Sequence, residues 1–336
     1  MSQTFDIAVI GATGTVGETL VQLLEERKFP LGTLHLLASI ESAGQSVLFK
    51  GKNLRVREVD EFDFSKVRMV FFAAGAAVTR SYAARAHAAG CALIDLSGGL
   101  PAEQAPAIVP EANAELLAHL PTPYQVSSPS AAATALAAVL APLRQVLALQ
   151  RVTVTACLAV SSQGREGVIE LARQTTELLN VRPIEPHFFD RQIAFNVLGQ
   201  VGAADEQGHT VLERRLTDEL KQALATPELK VAATCIQVPV FFGDSLSLSL
   251  QAQDPVDLAA VCAALEAAPG LEWVEAGDYP TVVGDAVGQD EIYVGRVRAG
   301  LDDPRQINMW IAVDNARKGG ALNAVQIAEL LIKHHL

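Results

Sequence analysis

Three glycines within seven residues constrain this 336-residue chain more than any other feature. Gly11-Ala-Thr-Gly14-Thr-Val-Gly17 follows a short apolar run at residues 6–10. It leads into Val16, Leu20, Leu23 and Leu24, which recur at helical spacing. A strand, a glycine turn and a helix in that order open a parallel βαβ unit. The glycines permit a tight reversal and let an anion approach the helix N-terminus, whose unsatisfied N–H groups favour negative charge. The same glycines would equally serve chain reversal and helix–sheet packing alone, so the turn by itself leaves both uses open.

The first third of the chain continues this pattern. Residues 34–38, 69–73 and 91–96 read as apolar strands, and a helix near 79–89 stops at Gly90. Uniformly apolar strands separated by helices predict a parallel sheet covered on both faces. After about Pro129 the strands lengthen and alternate, at 151–160, 230–240, 245–251, 291–297 and 307–313. Period-two alternation predicts a mainly antiparallel sheet, with helices near 167–179, 211–225 and 257–267 covering one face. An amphipathic segment at 316–333 closes the chain. The expected fold is α/β. A Rossmann-like parallel-sheet domain spans residues 1–128 and is completed by a C-terminal helix at 315–336. A second, α+β domain spans residues 129–314.

Composition narrows the function classes. Half of the residues are apolar, enough for a substantial core, which excludes bulk disorder. Acidic residues outnumber basic ones 38 to 26, so a phosphate backbone would be repelled and no nucleic-acid partner is expected. No apolar stretch approaches the roughly 20 residues of a membrane span. The opening MSQTFDIAVIGATG shows no basic leader before an apolar run, so a cytoplasmic protein with no membrane partner is expected. Cys91, Cys157, Cys235 and Cys262 form no CxxC. His35, His87, His119, His187, His209, His334 and His335 form no HExxH. Neither a disulfide framework nor a metal site is expected.

Near the end of the second strand stands Ser39-Ile-Glu41-Ser42-Ala-Gly44. A carboxylate there accepts from a ribose 2′-hydroxyl and repels a 2′-phosphate, so a bound dinucleotide would be NAD rather than NADP. A solvated loop glutamate, with no cofactor at all, is the other reading of Glu41.

Taken together, several motifs resemble the aspartate-semialdehyde dehydrogenase family over nearly the whole chain. They are GATGTVG at 11–17, ESAG at 41–44, VPEAN at 109–113, AVSSQG at 159–164 and FNV at 195–197. TCIQVPVFFGDS at 234–245, VGRVR at 294–298 and DNARKGGALNAVQIAE at 314–329 follow in the same order. The resemblance implies an NAD(P)-dependent oxidoreductase of amino-acid biosynthesis that reduces β-aspartyl phosphate through a thioacyl-enzyme. It also implies a homodimer built by the second domain. The cofactor site it implies comprises Gly11, Thr13, Gly14, Thr15, Val16, Gly17, Glu41, Ser42, Gly75, Gly164 and Asn315.

The residues that carry the family's chemistry are replaced. Its nucleophilic cysteine falls on Ala131, within Ser128-Pro-Ser130-Ala131. Its substrate-orienting Gln falls on Leu158, its carboxylate-binding Arg on Gln237 and its His acid/base on Asp244. A substrate-holding Glu falls on Leu212, a phosphate-binding Arg on Pro101 and the 2′-phosphate Arg on Glu41, whereas Arg215 matches the family's Lys. Substitutes are few. Cys157 neighbours Leu158, but adjacent strand residues face opposite ways, so it reads as a core cysteine. Ser128 or Ser130 would need Asp244 as base, and a carboxylate of ordinary pKa, about 4, matches a hydroxyl proton poorly. No catalytic residue is therefore assigned. The expectation is a catalytically altered, Usg-type branch of the family, acting as a non-catalytic nucleotide-binding or regulatory dimer. The alternatives are a module that pairs with an active dehydrogenase, and a dehydrogenase whose chemistry needs no thiol.

Overall fold

The computed structural model describes residues 4–334, so His335 lies outside the described residues. The chain forms two compact units, Met1–Ser130 with Gly320–Leu336, and Ala131–Gly319.

In the first unit the elements run β1 (Phe5–Ile10), α1 (Thr15–Glu26), β2 (Leu31–Ala38), β3 (Ser46–Phe49), β4 (Lys52–Arg55) and β5 (Arg57–Glu58). Then come β6 (Met69–Phe72), α2 (Ala76–Ala88), β7 (Ala92–Asp95), α3 (Pro110–Asn113) and β8 (Gln125–Ser127). The sheet order is β5-β2-β1-β6-β7-β8, and every pairing in it is parallel. Strand alternation splits its side chains between two cores. Ile7, Val9, Met69, Phe71 and Ile94 pack with Leu20, Leu23 and Leu24 of α1, and with Val325, Ile327 and Leu331 of the C-terminal helix Asn323–His334. Ala8, Ile10, Val70, Phe72 and Leu93 pack on the other face with Ala83 and Ala86 of α2. Each fully buried leucine on α1 contributes about 1.5–3 kcal/mol. Arg27 adds a two-pronged ion pair to Glu329, at 2.8 and 2.7 Å, tying α1 to the C-terminal helix.

Short apolar runs marked β1, β6 and β7 to within one residue, whereas β2 begins three residues before the expected 34. The hairpin β3–β4 and the short β5 carried no such signal, because their side chains are mostly exposed. Helix α2 starts at Ala76, three residues before the expected Thr79, because Gly75 is its N-cap.

The second unit comprises α4 (Ala131–Leu143), β9 (Leu149–Leu158), α5 (Arg165–Leu179), α6 (Val211–Ala223) and β10 (Lys230–Gln237). It continues with β11 (Asp244–Ala252), α7 (Leu258–Glu266), β12 (Leu271–Trp273), β13 (Ile292–Ala299) and β14 (Gln306–Val313). Its sheet order is β10-β9-β11-β14-β13-β12. The β9–β11, β11–β14 and β13–β14 pairings are antiparallel, whereas β10–β9 and β12–β13 are parallel, so the sheet is mixed. Val152, Val154, Ala156 and Leu158 of β9 are buried together with Leu246, Leu248 and Leu250 of β11. Helix α4 packs on β11 and is buried almost all round, as an apolar helix without a polar face must be.

Strand β10 stops at Gln237, short of the expected 240, because Pro239 cannot donate to a ladder. The closing amphipathic segment is not one regular helix. Residues Arg317–Leu322 form a π-helical turn before the regular helix Asn323–His334 begins. Close packing accompanies that turn, since a Cβ on Gly319 would lie 2.5 Å from the Ala131 Cβ. Among the described residues no helix is long and apolar enough to cross a membrane.

Candidate functional site

The strand order of the first sheet reverses between β1 and β6, the place where an open parallel sheet leaves a crevice at its carboxyl edge. The glycine turn lies there. Gly11 has φ +86°, and a Cβ on it would sit 2.6 Å from the Ala73 carbonyl oxygen beyond β6. Its N–H donates to Leu37 O at 2.8 Å, and Gly14 N–H donates to Gly11 O at 3.1 Å. A Cβ on Gly17 would collide with the Gly11 carbonyl oxygen, so helix and turn touch backbone to backbone. Gly14 caps α1 and Gly75 caps α2, neither with a side-chain hydrogen bond. Of the expected cofactor residues, Gly11, Thr13, Gly14, Thr15, Val16, Gly17 and Gly75 thus gather around the switch point.

Glu41 and Ser42 lie in the turn after β2. Ser39 Oγ donates to Glu41 Oε2 at 2.6 Å, and that bond lowers the Glu41 carboxyl pKa and keeps it ionised. The same turn borders a cleft of about 490 Å³ that Ala43 and Gly44 share with Arg55, Arg57 and Lys66. Both charge signs are therefore available beside the turn.

One organising residue of this unit escaped sequence reasoning. Asp95, fully buried at the end of β7, accepts from Ser97 N at 2.8 Å, Ser97 Oγ at 2.6 Å and Leu100 N at 2.9 Å. It shapes the loop that leads to Pro101. A charged residue closing an apolar strand was the signal to look for.

Gly164 and Asn315 belong to the second unit. Gly164 has φ +82° with open space around it, at the start of α5. Asn315 is spent internally: its Oδ1 accepts from Gly243 N at 2.9 Å, and its Nδ2 donates to Ser161 Oγ at 3.1 Å.

Six further positions named from the resemblance, Ala131, Leu158, Leu212, Arg215, Gln237 and Asp244, also fall in the second unit. Ala131 opens α4 against Gly319. Leu158 is 6% exposed and ends β9. Gln237 is 1% exposed, and its Nε2 donates to Leu158 O at 2.6 Å. Asp244 is 1% exposed and accepts from Ala159 N at 2.9 Å.

The ordinary pKa expected for Asp244 is overturned. Burial, with a smaller push from the Asp314 charge and against the pull of the Ala159 N–H, raises it from 3.8 to about 7. Leu212 is half-buried on α6. The cation of Arg215 is matched by Glu219 on the same helix, Nε to Oε1 at 2.6 Å.

None of the four thiols lies in an activating environment. Burial pushes Cys91 up to about 11 and Cys235 up to about 12, and it raises Cys157 and Cys262 as well. Cys157 is half-buried on the strand face opposite Leu158, and the negative charge of Asp244 raises its thiol further. The Ser128 hydroxyl is fully buried and accepts from Asn323 Nδ2 at 2.8 Å. Among the described residues no cluster of three or more His, Cys, Asp and Glu could hold a metal ion.

A glycine turn at the switch point of a parallel sheet, followed by a mixed-sheet unit, is the architecture of a Rossmann-like, doubly wound domain joined to a second unit. Comparison with known proteins narrows this. Residues 6–120 match the semialdehyde dehydrogenase NAD binding domain, and residues 140–318 match the semialdehyde dehydrogenase dimerisation domain. The chain belongs to the semialdehyde dehydrogenase family. It is 63% identical over 333 residues to a USG-1 protein homolog of Azotobacter vinelandii, covering 99% of each chain. It is also 39% identical over 336 residues to aspartate-semialdehyde dehydrogenase 2 of Vibrio cholerae, covering both chains fully. The crystal structure of aspartate semialdehyde dehydrogenase II from Vibrio cholerae, complexed with ASA, superimposes with a TM-score of 0.97. That comparison covers 100% of both chains at 38% identity.

Proposed function

We propose that this chain is a dinucleotide-binding homodimer of the family that does not perform the family's thiol-dependent reaction. One observation carries the reading. Ala131 opens α4 where the family needs its nucleophile, and burial raises the pKa of all four cysteines, at Cys91 against the pull of the Arg68 cation. The other replacements agree with it. Leu158 and Leu212 are apolar, Gln237 spends its only donor group on a backbone carbonyl, and Asp244 is buried against the Ala159 N–H.

Retained backbone geometry at the glycine turn supports nucleotide binding, and the ionised Glu41 favours NAD over NADP. The family's dimerisation domain supports a homodimer. Calorimetric titration of the purified protein with NAD and with NADP tests the reading. NAD binding with NADP at least tenfold weaker is expected. Absence of binding by either nucleotide would leave the glycine turn a packing device and turn the search to protein partners. Aspartyl phosphate should bind poorly to so apolar a group of replacements, and micromolar binding of that dianion would sink the assignment of these positions.

A further inference from the structure

A cleft of about 840 Å³ in the second unit is lined by Gln237, Gln200, Asp190, Phe188 and Phe189 among others. Its polar walls offer the side-chain oxygens of Gln237, Gln200 and Asp190, and Arg191, with its guanidinium, also lines it. Gln237 Nε2 donates to Leu158 O at 2.6 Å, which fixes the amide, since turning it over would set two acceptor oxygens against each other. Gln237 Oε1 is then left buried with no hydrogen-bond partner. Gln200 repeats the arrangement: its Nε2 donates to Gly202 O at 2.8 Å, so its free end is again an acceptor. Asp190 adds a carboxylate, and its ion pair with Arg191 at 3.4 Å is highly exposed and correspondingly weak. The aromatic walls come from Phe188 and Phe189, packed edge to face with ring centroids 5.0 Å apart.

These walls are held in place before any ligand arrives. Glu170 accepts from His187 N at 2.9 Å, and Gln174 Oε1 accepts from Ile193 N at 2.8 Å and Ala194 N at 3.2 Å. The loop that carries the two phenylalanines is thus pinned at both ends to α5. Acceptor oxygens beside aromatic faces favour a cation that donates hydrogen bonds.

We infer that this cleft binds a ligand with a primary ammonium head on a flat apolar body, its head satisfying the orphaned Gln237 Oε1. The inference rests on the proposed loss of a carboxylate-binding arginine at position 237, and it requires no bound dinucleotide. Recognition at this position has changed sign, from an anion to a cation.

Phenethylammonium and 3-phenylpropionate have the same ring and a similar chain with opposite charge, and both can be titrated calorimetrically into the full-length protein. The ammonium should bind at least tenfold tighter than the carboxylate. Gln237→Met should weaken ammonium binding about tenfold, and Gln237→Arg should reverse the preference. Gln200→Met and Asp190→Asn, both on the exposed rim, should each weaken it a few-fold and serve if the buried variants fail to fold. Tighter carboxylate binding, no binding of either probe, or unchanged ammonium affinity in Gln237→Met and Gln200→Met would overturn the inference. NAD binding measured on the same sample separates the two proposals. A protein that binds NAD but not the ammonium loses this inference and keeps the proposed function.

Discussion

The glycine turn and the group Ala131, Leu158, Gln237 and Asp244 carry family motifs in opposite conditions. In the turn, the backbone itself demands the residue type: Gly11 holds φ +86° against the Ala73 carbonyl, and Gly17 leaves no room for a Cβ. In the second group, Ala131 and Leu158 are apolar, Gln237 Nε2 and the Asp244 carboxylate bond within their own unit, and no thiol is present among them. The contrast teaches caution about glycine motifs. Residues required by backbone geometry cannot be exchanged without cost to the fold, so their presence speaks for architecture first. Side chains that only perform chemistry can be exchanged freely, so their identity speaks for function.

The comparison breaks at once if the chain turns out to be active. Phosphate-dependent oxidation of aspartate semialdehyde with NAD or NADP should run at least about 10⁴-fold slower than in an active relative, because the nucleophile and its helpers act as a unit. For the same reason Ala131→Cys alone should not restore turnover. Substantial activity in the wild-type chain would show that another group does the chemistry.

The next largest effect concerns the turn. Gly17→Ala should cost about 4 kcal/mol or more in urea unfolding, since backbone meets backbone there. Gly14→Ala should cost under about 1 kcal/mol, because its Cβ would sit 3.4 Å from the nearest atom and its φ is −80°. Similar costs at the two sites would remove the claim that geometry alone explains Gly17.

Asp244 supplies a pH signature. Its folded pKa of about 7 lies above the unfolded 3.8, so the folded state binds the extra proton between those values. The carboxyl's contribution is therefore most favourable below about pH 4 and is lost as pH rises through 7. Asp244→Asn keeps an acceptor for the Ala159 N–H and carries no charge. Its stability advantage over wild type should grow from near zero at pH 4 to on the order of 4 kcal/mol at pH 8. An advantage that does not change with pH would mean that Asp244 does not titrate in this range. The smallest effect is at Glu41, where Glu41→Arg should shift the NAD-to-NADP affinity ratio about tenfold toward NADP. An unchanged ratio would place the selectivity elsewhere, with Arg55 and Arg57 of the neighbouring cleft the next residues to change.

Periodicity made much of the fold legible. Strands β6 and β7 are short and fully buried, so plain apolar runs marked them. Strands β9, β11 and β14 bury one face, so alternation marked them. Strand β3 is four residues long and buries only Val47 and Phe49, and β4 and β5 are largely exposed, so they left little pattern to read, while the π-helical turn at Arg317–Leu322 kept a helical pattern and changed the geometry. Of the candidate positions, the glycine turn was legible because its residues are neighbours in sequence. The orphaned oxygen of Gln237 was not, because a buried amide looks in sequence like a solvated one, and Asp95 left only the faint signal of a charge closing an apolar strand.

The sequence by itself determined the strand–turn–helix opening, the change of sheet type near residue 130, and the absence of a cysteine at 131, all of which depend on local spacing or identity. Only the tertiary structure decided which polar groups are satisfied and which carboxyl is raised to near neutrality. Ala159 and Asp244 are 85 residues apart, Gly243 and Asn315 are 72 apart, and Ser161 and Asn315 are 154 apart. Desolvation and hydrogen-bond pairing come from neighbours in space, and folding brings those neighbours from distant parts of the chain.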